Sequence, residues 1–437
     1  MKTDSSMNQD EVKQVAAYKN LTKVIQSAAD ATYPELKLTA VRELNTLLSL
    51  ESPPIDELIQ NGILPILVDC LKENSHVNLQ VEAAWALTNM TSGNSEQTIQ
   101  VVAAGTVPFF LEFLKSKNLD TYEPALWALG NIIGDGPLLR EFVIRMGVVQ
   151  PLVSFTQWNV PSPILYNVAL VIGNLCRSYC YSTISTETVL QILPALEVLI
   201  SHEDLDILKC ALWAIAFLAD GGKELIQMVI ESGMLPKLIS FMGHKEIKIQ
   251  SPALRVVGNI LKGTDEQCQM VLNHDPFSHF PSEGFCSNKN ILEEEFRFLC
   301  SVTSCNHVWV QAIIDVGLIS KIIEMLNCGG LLDYVAAKAI SNLTKHCTEN
   351  QMITLIRQGV LKPFCDVLTG QFEETTKTVL CGLSNMLKMA HTHADELAKS
   401  IYDCGGLAKI EELQTHESVE IYEAAQQIIE LYFGDDS

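Results

Sequence analysis

Two short stretches carry side chains that can do chemistry together. "EAAWALTNMTSG" runs from Glu82 to Gly93, and "PALWALGNIIGD" runs from Pro124 to Asp135. Each holds a Trp followed four positions later by an Asn: Trp85 with Asn89, Trp127 with Asn131. Four residues is about one helical turn, so the members of each pair share a face. An indole offers its π face to a cation and its breadth to an aliphatic stem. A carboxamide offers donors and an acceptor to a backbone that brings no partners of its own. Acids lie close by: Asp135 ends the second stretch, Glu123 immediately precedes it, and Asp220 holds the matching place after Trp213. The chemistry this predicts is recognition of an extended, basic peptide. Each indole–cation contact contributes roughly 0.5–2 kcal/mol, so several must act in series.

Catalysis has no comparable support. No nucleophile motif and no phosphate loop stands out, and no cofactor is expected. The thirteen cysteines form no CxxC; the closest pairs are Cys176 with Cys180 and Cys300 with Cys305. No His follows at zinc-ligand spacing, so no metal site is expected. The cysteine pattern is that of buried free thiols in a reducing compartment, which points to the cytoplasm and nucleus.

The elements that must position these pairs repeat. From Trp85 the equivalent positions are Trp127, Leu170, Trp213, Arg255, Arg297, Lys338 and Cys381, at steps of 41 to 43 residues. Four residues after each come Asn89, Asn131, Asn174, Phe217, Asn259, Ser301, Asn342 and Asn385, so Asn fills six of eight slots. Gly62, Gly105, Gly147, Gly233, Gly317 and Gly359 keep the same beat, each before an apolar segment. "SGNSEQT" at Ser92–Thr98 returns as "KGTDEQC" at Lys262–Cys268, four repeats on. Each unit reads as a short helix, a break, a middle helix and a long third helix with the 3.6-residue pattern. One copy cannot bury its apolar face alone, and stacking makes a continuous core. The expected fold is all-α, a right-handed superhelical solenoid whose third helices line the concave side. Residues 21–437 form the array of about ten repeats, and 1–20 form a polar tail. Residues 272–290, with two Pro, two His and three Phe, are expected to be irregular.

The net charge of −22 repels nucleic acid and favours either a basic partner or simple solubility, the commoner reading on composition alone. No run of eighteen apolar residues occurs, so no membrane span is expected.

At these residues the sequence resembles importin-α (karyopherin-α), the armadillo-repeat adaptor for nuclear localisation signals. "EAAWALTNMTSGNSEQT", "ALWALGNIIGDG", "NVALVIGNLCRS", "ALWAIAFLADG" and "PALRVVGNILKGTDEQ" look like successive family repeats, and the tail from Asp403 resembles the family's last repeat. The resemblance implies nuclear import of cargo proteins bearing basic signals. It places a major site on Trp85, Asn89, Ser92, Gly93, Thr98, Trp127, Asn131, Gly134, Asp135, Asn167 and Asn174, with Asp135 pairing the key lysine of the signal. Two positions depart from the pattern: Leu170 stands for a third Trp, and Pro124 for a Gln.

The family's minor site is reduced here to Trp213, Asp220, Arg255, Asn259 and Asn342. Its Trp pair falls on Arg297 and Lys338, one Asn has become Ser301, and a small polar residue has become Lys262. A cation where a cargo lysine should stack repels it, so this half is expected to bind basic signals poorly. Residues 1–20 hold only Lys2, Lys13 and Lys19, not the family's basic importin-β-binding segment. This leads to the expectation that importin-β is not recruited directly, while contact with the export receptor through the C-terminal repeats is retained. A scaffold that sequesters signal-bearing proteins is the alternative function.

Overall fold

The structure, a computed structural model, describes residues 23–29, 33–116, 118–179, 182–279, 291–326 and 328–434, apart from the side chain of residue 392. The tail expected at 1–20, and residues 280–290 of the stretch 272–290 expected to be irregular, lie outside them. The chain divides into two units, residues 1–221 and 222–437.

In the first unit the long helices are α1 (Pro34–Leu48), α2 (Val77–Thr91), α3 (Leu119–Asp135), α4 (Ser162–Cys176) and α5 (Leu205–Ala219). Consecutive members pack side by side. Two short helices precede most of them: Ile55–Gln60 and Ile63–Leu71 before α2, Ser95–Ala103 and Val107–Lys115 before α3, and Pro137–Arg145 and Val149–Phe155 before α4. The break within each pair is made at Gly62, Gly105 or Gly147, with φ of 80°, 82° and 89°, a left-handed turn that a Cβ disfavours. Before α5 the glycine beat is missing from the sequence, and a single helix, Thr186–Leu199, replaces the pair.

The second unit repeats the plan with α6 (Ile247–Ile260), α7 (Leu292–Thr303), α8 (Leu331–His346), α9 (Glu373–Met389) and α10 (Val419–Tyr432). In the stretch expected to be irregular, a 3₁₀ turn at Pro276–His279 follows the helix Asp265–Leu272. Among the described residues the only β pairing is an isolated bridge between Tyr179 and Ser182.

The period-3.6 apolar stripe explains why the long helices stack. On α3, Ala125, Leu126, Ala128, Leu129, Ile132 and Ile133 are all fully buried. The alanines let neighbouring backbones approach, and each buried Leu or Ile contributes roughly 1.5–3 kcal/mol. Most of the described cysteines belong to this core, and burial pushes the Cys176 thiol up to about 12. Cys300 and Cys404 are half-buried and Cys328 and Cys381 exposed, so the expectation of buried thiols does not extend to these four.

The echo "SGNSEQT"/"KGTDEQC" has a structural cause that its repetition alone did not disclose. Asn94 and Gln97 form a capping box on the helix Ser95–Ala103, and Thr264 and Gln267 form one on Asp265–Leu272. A third box, Thr348 with Gln351, caps Glu349–Arg357. The Gln of each box also reaches back one repeat: Gln97 Nε2 donates to Asp56 Oδ1 at 2.8 Å, Gln267 to the Lys223 carbonyl at 2.8 Å, and Gln351 to the His307 carbonyl at 2.9 Å. One side chain caps its own helix and ties it to the previous copy.

Candidate peptide-binding ladder

On the eight long helices that carry the Trp85 phase, α2 to α9, the positions spaced 0, +4 and +7 form a stripe that is half-buried to exposed except at Asn259. In the first unit the leading positions are Trp85, half-buried; Trp127, 43% exposed; and Leu170 and Trp213, half-buried. A Trp of a packed core would be closed off, as Trp309 is at 1%. Trp127 is held open because Ala128 and Leu129 beside it take the core positions.

The carboxamides of the stripe are not uniformly open. Asn131 Nδ2 donates to the Thr88 carbonyl at 3.4 Å and to Thr91 Oγ1 at 3.2 Å. Asn174 Nδ2 donates to the Gly130 carbonyl at 3.0 Å. Each therefore holds the helix of the preceding repeat while standing half-buried on the face. These bonds orient the carboxamides and leave the Oδ1 of each as an acceptor. Asn89 has no such bond among the described residues.

The +7 positions end the helices. Ser92 is exposed, with its hydroxyl on the Asn89 carbonyl at 2.7 Å. Gly134 is half-buried beneath Asn174. Asp135 is exposed and accepts the Ser95 hydroxyl at 2.7 Å, which fixes one carboxylate oxygen and leaves the other to solvent. Gly93 gives room to the capping Gln97: a Cβ there would stand 1.9 Å from Gln97 Oε1.

Two residues assigned to the site by resemblance are turned inward. Thr98 is 1% exposed, and its hydroxyl donates to the Asn94 carbonyl at 3.1 Å and the Thr91 carbonyl at 3.3 Å. Asn167 is buried in α4. The Thr98 hydroxyl thereby ties its helix to the end of α2. Pro124 is also buried, and its carbonyl accepts the Thr88 hydroxyl at 3.0 Å, one more tie between α2 and α3.

At the end of the first unit, Trp213 and Phe217 lie with ring centroids 6.0 Å apart, and the Arg177 guanidinium rests 5.7 Å from the Phe217 centroid. A cation of this chain thus already sits on that ring. Asp220 caps α5 and is exposed.

Sequence reasoning missed Arg140. It is fully buried, donating to the Arg177 carbonyl at 2.5 Å and to Ser182 Oγ at 3.0 Å, with its guanidinium 5.3 Å from the Tyr179 centroid. The Tyr179 hydroxyl donates in turn to the Gly134 carbonyl at 3.4 Å. This network pins the segment after α4 against the end of α3. Besides Glu141 beside it in the chain, whose carboxylate lies 3.3 Å from Nη2, the hydrogen-bond partners that make a buried Arg sensible come from 37 and 42 positions away.

In the second unit the leading positions carry cations. Arg255 forks onto Glu294, Nε to Oε2 and Nη2 to Oε1 at 2.5 Å each, and Glu294 is buried. Arg297 is exposed and paired with Glu293 at 2.7 Å. Lys338 is exposed. Asn259 is buried and accepts from Lys262 Nζ at 2.7 Å. Asn342 keeps the backward reach, donating to Ser304 Oγ at 2.9 Å and the Cys300 carbonyl at 3.4 Å.

Family comparisons agree with this architecture. A model described as "Armadillo/beta-catenin-like repeat" matches residues 51–92, 94–134 and 222–262, and "Atypical Arm repeat" matches 395–437. An engineered protein of solved structure superposes with a TM-score of 0.82 at 22% identity, covering 95% of this chain and 99% of that one, which speaks to fold alone. Importin subunit alpha-3 of Caenorhabditis elegans is 44% identical over 420 residues, 95% of this chain and 81% of the relative. Importin subunit alpha-1b of Oryza sativa subsp. japonica is 36% identical over 411 residues, 92% and 77% of the two chains. The all-α armadillo solenoid, the Trp/Asn ladder and this similarity along nearly the whole length lead to one conclusion: the chain belongs to the importin subunit alpha family.

Proposed function

We propose that this chain is a non-catalytic nuclear import adaptor working between cytoplasm and nucleus. It holds basic nuclear localisation signals of cargo proteins as extended peptides on the ladder face of its first unit. Lysine and arginine stems lie against Trp85 and Trp127, their cations near the rings. Asp135, oriented by Ser95, supplies the counter-charge for the most deeply held lysine. Asn131 and Asn174, already fixed by their neighbours, present carbonyl oxygens to the peptide's N–H groups. The observation that carries this reading is the 43% exposure of Trp127 in the middle of a helix whose neighbouring Ala125, Leu126, Ala128 and Leu129 are fully buried, with Asp135 two turns further along.

Fluorescence anisotropy with a labelled monopartite basic peptide tests it. Trp127→Ala combined with Asp135→Lys should weaken binding by about a hundredfold or more, from lost stacking and reversed charge, while the helical circular-dichroism signal stays intact. Undiminished affinity would remove this face from consideration. The same assay with a bipartite peptide should show a gain below about threefold, because Arg297 and Lys338 stand where the second cluster would stack. Export-receptor contact through the C-terminal repeats belongs to the same reading and is testable by pull-down.

A further inference from the structure

The ladder of the second unit suits a ligand of opposite charge. Its twelve stripe positions are Arg255, Arg297, Lys338 and Cys381; Asn259, Ser301, Asn342 and Asn385; and Lys262, Ser304, Lys345 and Lys388. Six are cationic and none is acidic, in a chain whose acids outnumber its bases 52 to 30. The twelve equivalents in the first unit hold one cation, Arg177, and one acid, Asp220. The position that carries Asp135 in the first unit is filled here by Gly263, Cys305, His346 and Met389.

The six cations are not equally available. Arg255 is committed to the buried Glu294, Arg297 shares an exposed pair with Glu293, and Lys262 leans on Asn259. Lys338, Lys345 and Lys388 are exposed and have no ion pair among the described residues. Asn342 and Asn385 use their amide nitrogens on neighbours, with Asn385 Nδ2 on Thr344 Oγ1 at 3.4 Å, and no donor reaches their Oδ1 atoms among the described residues. A row of cations beside a row of carbonyl acceptors complements a chain with acidic side groups and backbone N–H donors.

We propose that the α7–α9 face binds an acidic, extended peptide segment of a partner protein. Nucleic acid matches the cations but has no regular N–H along its backbone for the Asn acceptors, and the overall charge of −22 repels it. The inference does not depend on what the first unit binds.

The test uses the full chain and a labelled Glu-rich peptide of about twelve residues, long enough to cross three to four repeats at roughly 3.3 Å per residue. The peptide should bind at low ionic strength and weaken as salt rises. Arg297→Glu with Lys338→Glu and Lys345→Glu should weaken it by about tenfold or more, without lowering affinity for a basic peptide and with the circular-dichroism spectrum unchanged. The milder Lys338→Ala with Lys345→Ala should weaken it about threefold and guards against misfolding of the charge-reversed chain. No binding of the acidic peptide, or binding that neither variant weakens, overturns the proposal. So does an oligouridine RNA that binds more tightly than the peptide and is lost with the same substitutions. Loss of basic-peptide binding bears only on the first unit.

Discussion

The amide nitrogen of Asn174 packs closely over Gly134: a Cβ at Gly134 would stand 3.2 Å from it, a tight contact. The two residues belong to consecutive long helices, and the contact keeps Asn174 on the Gly130 carbonyl. Gly134 is therefore required for the position of a recognition group and not for a turn.

This separates stability from binding. Gly134→Ala gains about 1 kcal/mol of helix propensity and loses a comparable amount by lengthening the Asn174 bond. The melting temperature should move by no more than a few degrees. Affinity for a basic peptide should fall about tenfold, since the displaced carboxamide no longer meets the peptide backbone. Calorimetry beside anisotropy checks both; a large drop in melting temperature with intact binding would refute the assignment.

Gly93 makes the opposite prediction. A methyl there would displace the Gln97 side chain from the Asn94 amide, which it accepts at 2.9 Å, and from Asp56. Gly93→Ala should cost about 0.5–2 kcal/mol, the range of a lost cap, read as a lower denaturant midpoint. Gly93→Ala with Gln97→Ala should be little worse than Gln97→Ala alone, because the severe clash is gone and only the flexible end of Ile55, 3.0 Å from the added Cβ, has to shift.

The second unit carries a test of pH dependence. Asp366 accepts from Lys362 Nζ at 2.8 Å, and Lys409 lies beside it while donating to the Cys365 and Asp366 carbonyls at 3.1 Å. The Lys362 hydrogen bond, with the charge of both lysines, holds the Asp366 carboxyl below its ordinary value. A depressed carboxyl stabilises the fold above the unfolded value near 3.9 and ceases to do so as pH falls through the lower folded one. Asp366→Asn should therefore cost under about 1 kcal/mol at neutral pH, as for a largely solvated pair, and the difference from the parent should shrink below about pH 3.9. A difference that persists in acid would mean the carboxylate charge is not the cause.

Much of this was legible in the residues. The period of about 42, the glycine beat and the Trp/Asn spacing are local patterns, and they survive folding because each repeat meets its neighbours in the same way. The stripe at 0, +4 and +7 follows from helical geometry alone. Partnership across repeats was less legible. Nothing near Ser95 says that it holds Asp135, nothing near Arg140 says that it is buried, and nothing near Thr98 says that it faces the core. Those facts depend on which residue, some forty positions away, arrives beside them. The single helix at Thr186–Leu199 was foreshadowed by a missing glycine, a signal that is read only once the beat is known.

The direction of the Asn bonds has a consequence for how such an array can change length. Asn131, Asn174, Asn342 and Asn385 all point to the repeat before their own. Each of these four copies is thus finished by the one that precedes it, and a break inside such a copy would strand an amide at the seam. Insertion or loss of complete modules leaves each of these amides beside an acceptor of the same kind, so duplication in whole multiples of the period is a route by which this architecture grows or shrinks without relearning how to hold itself together.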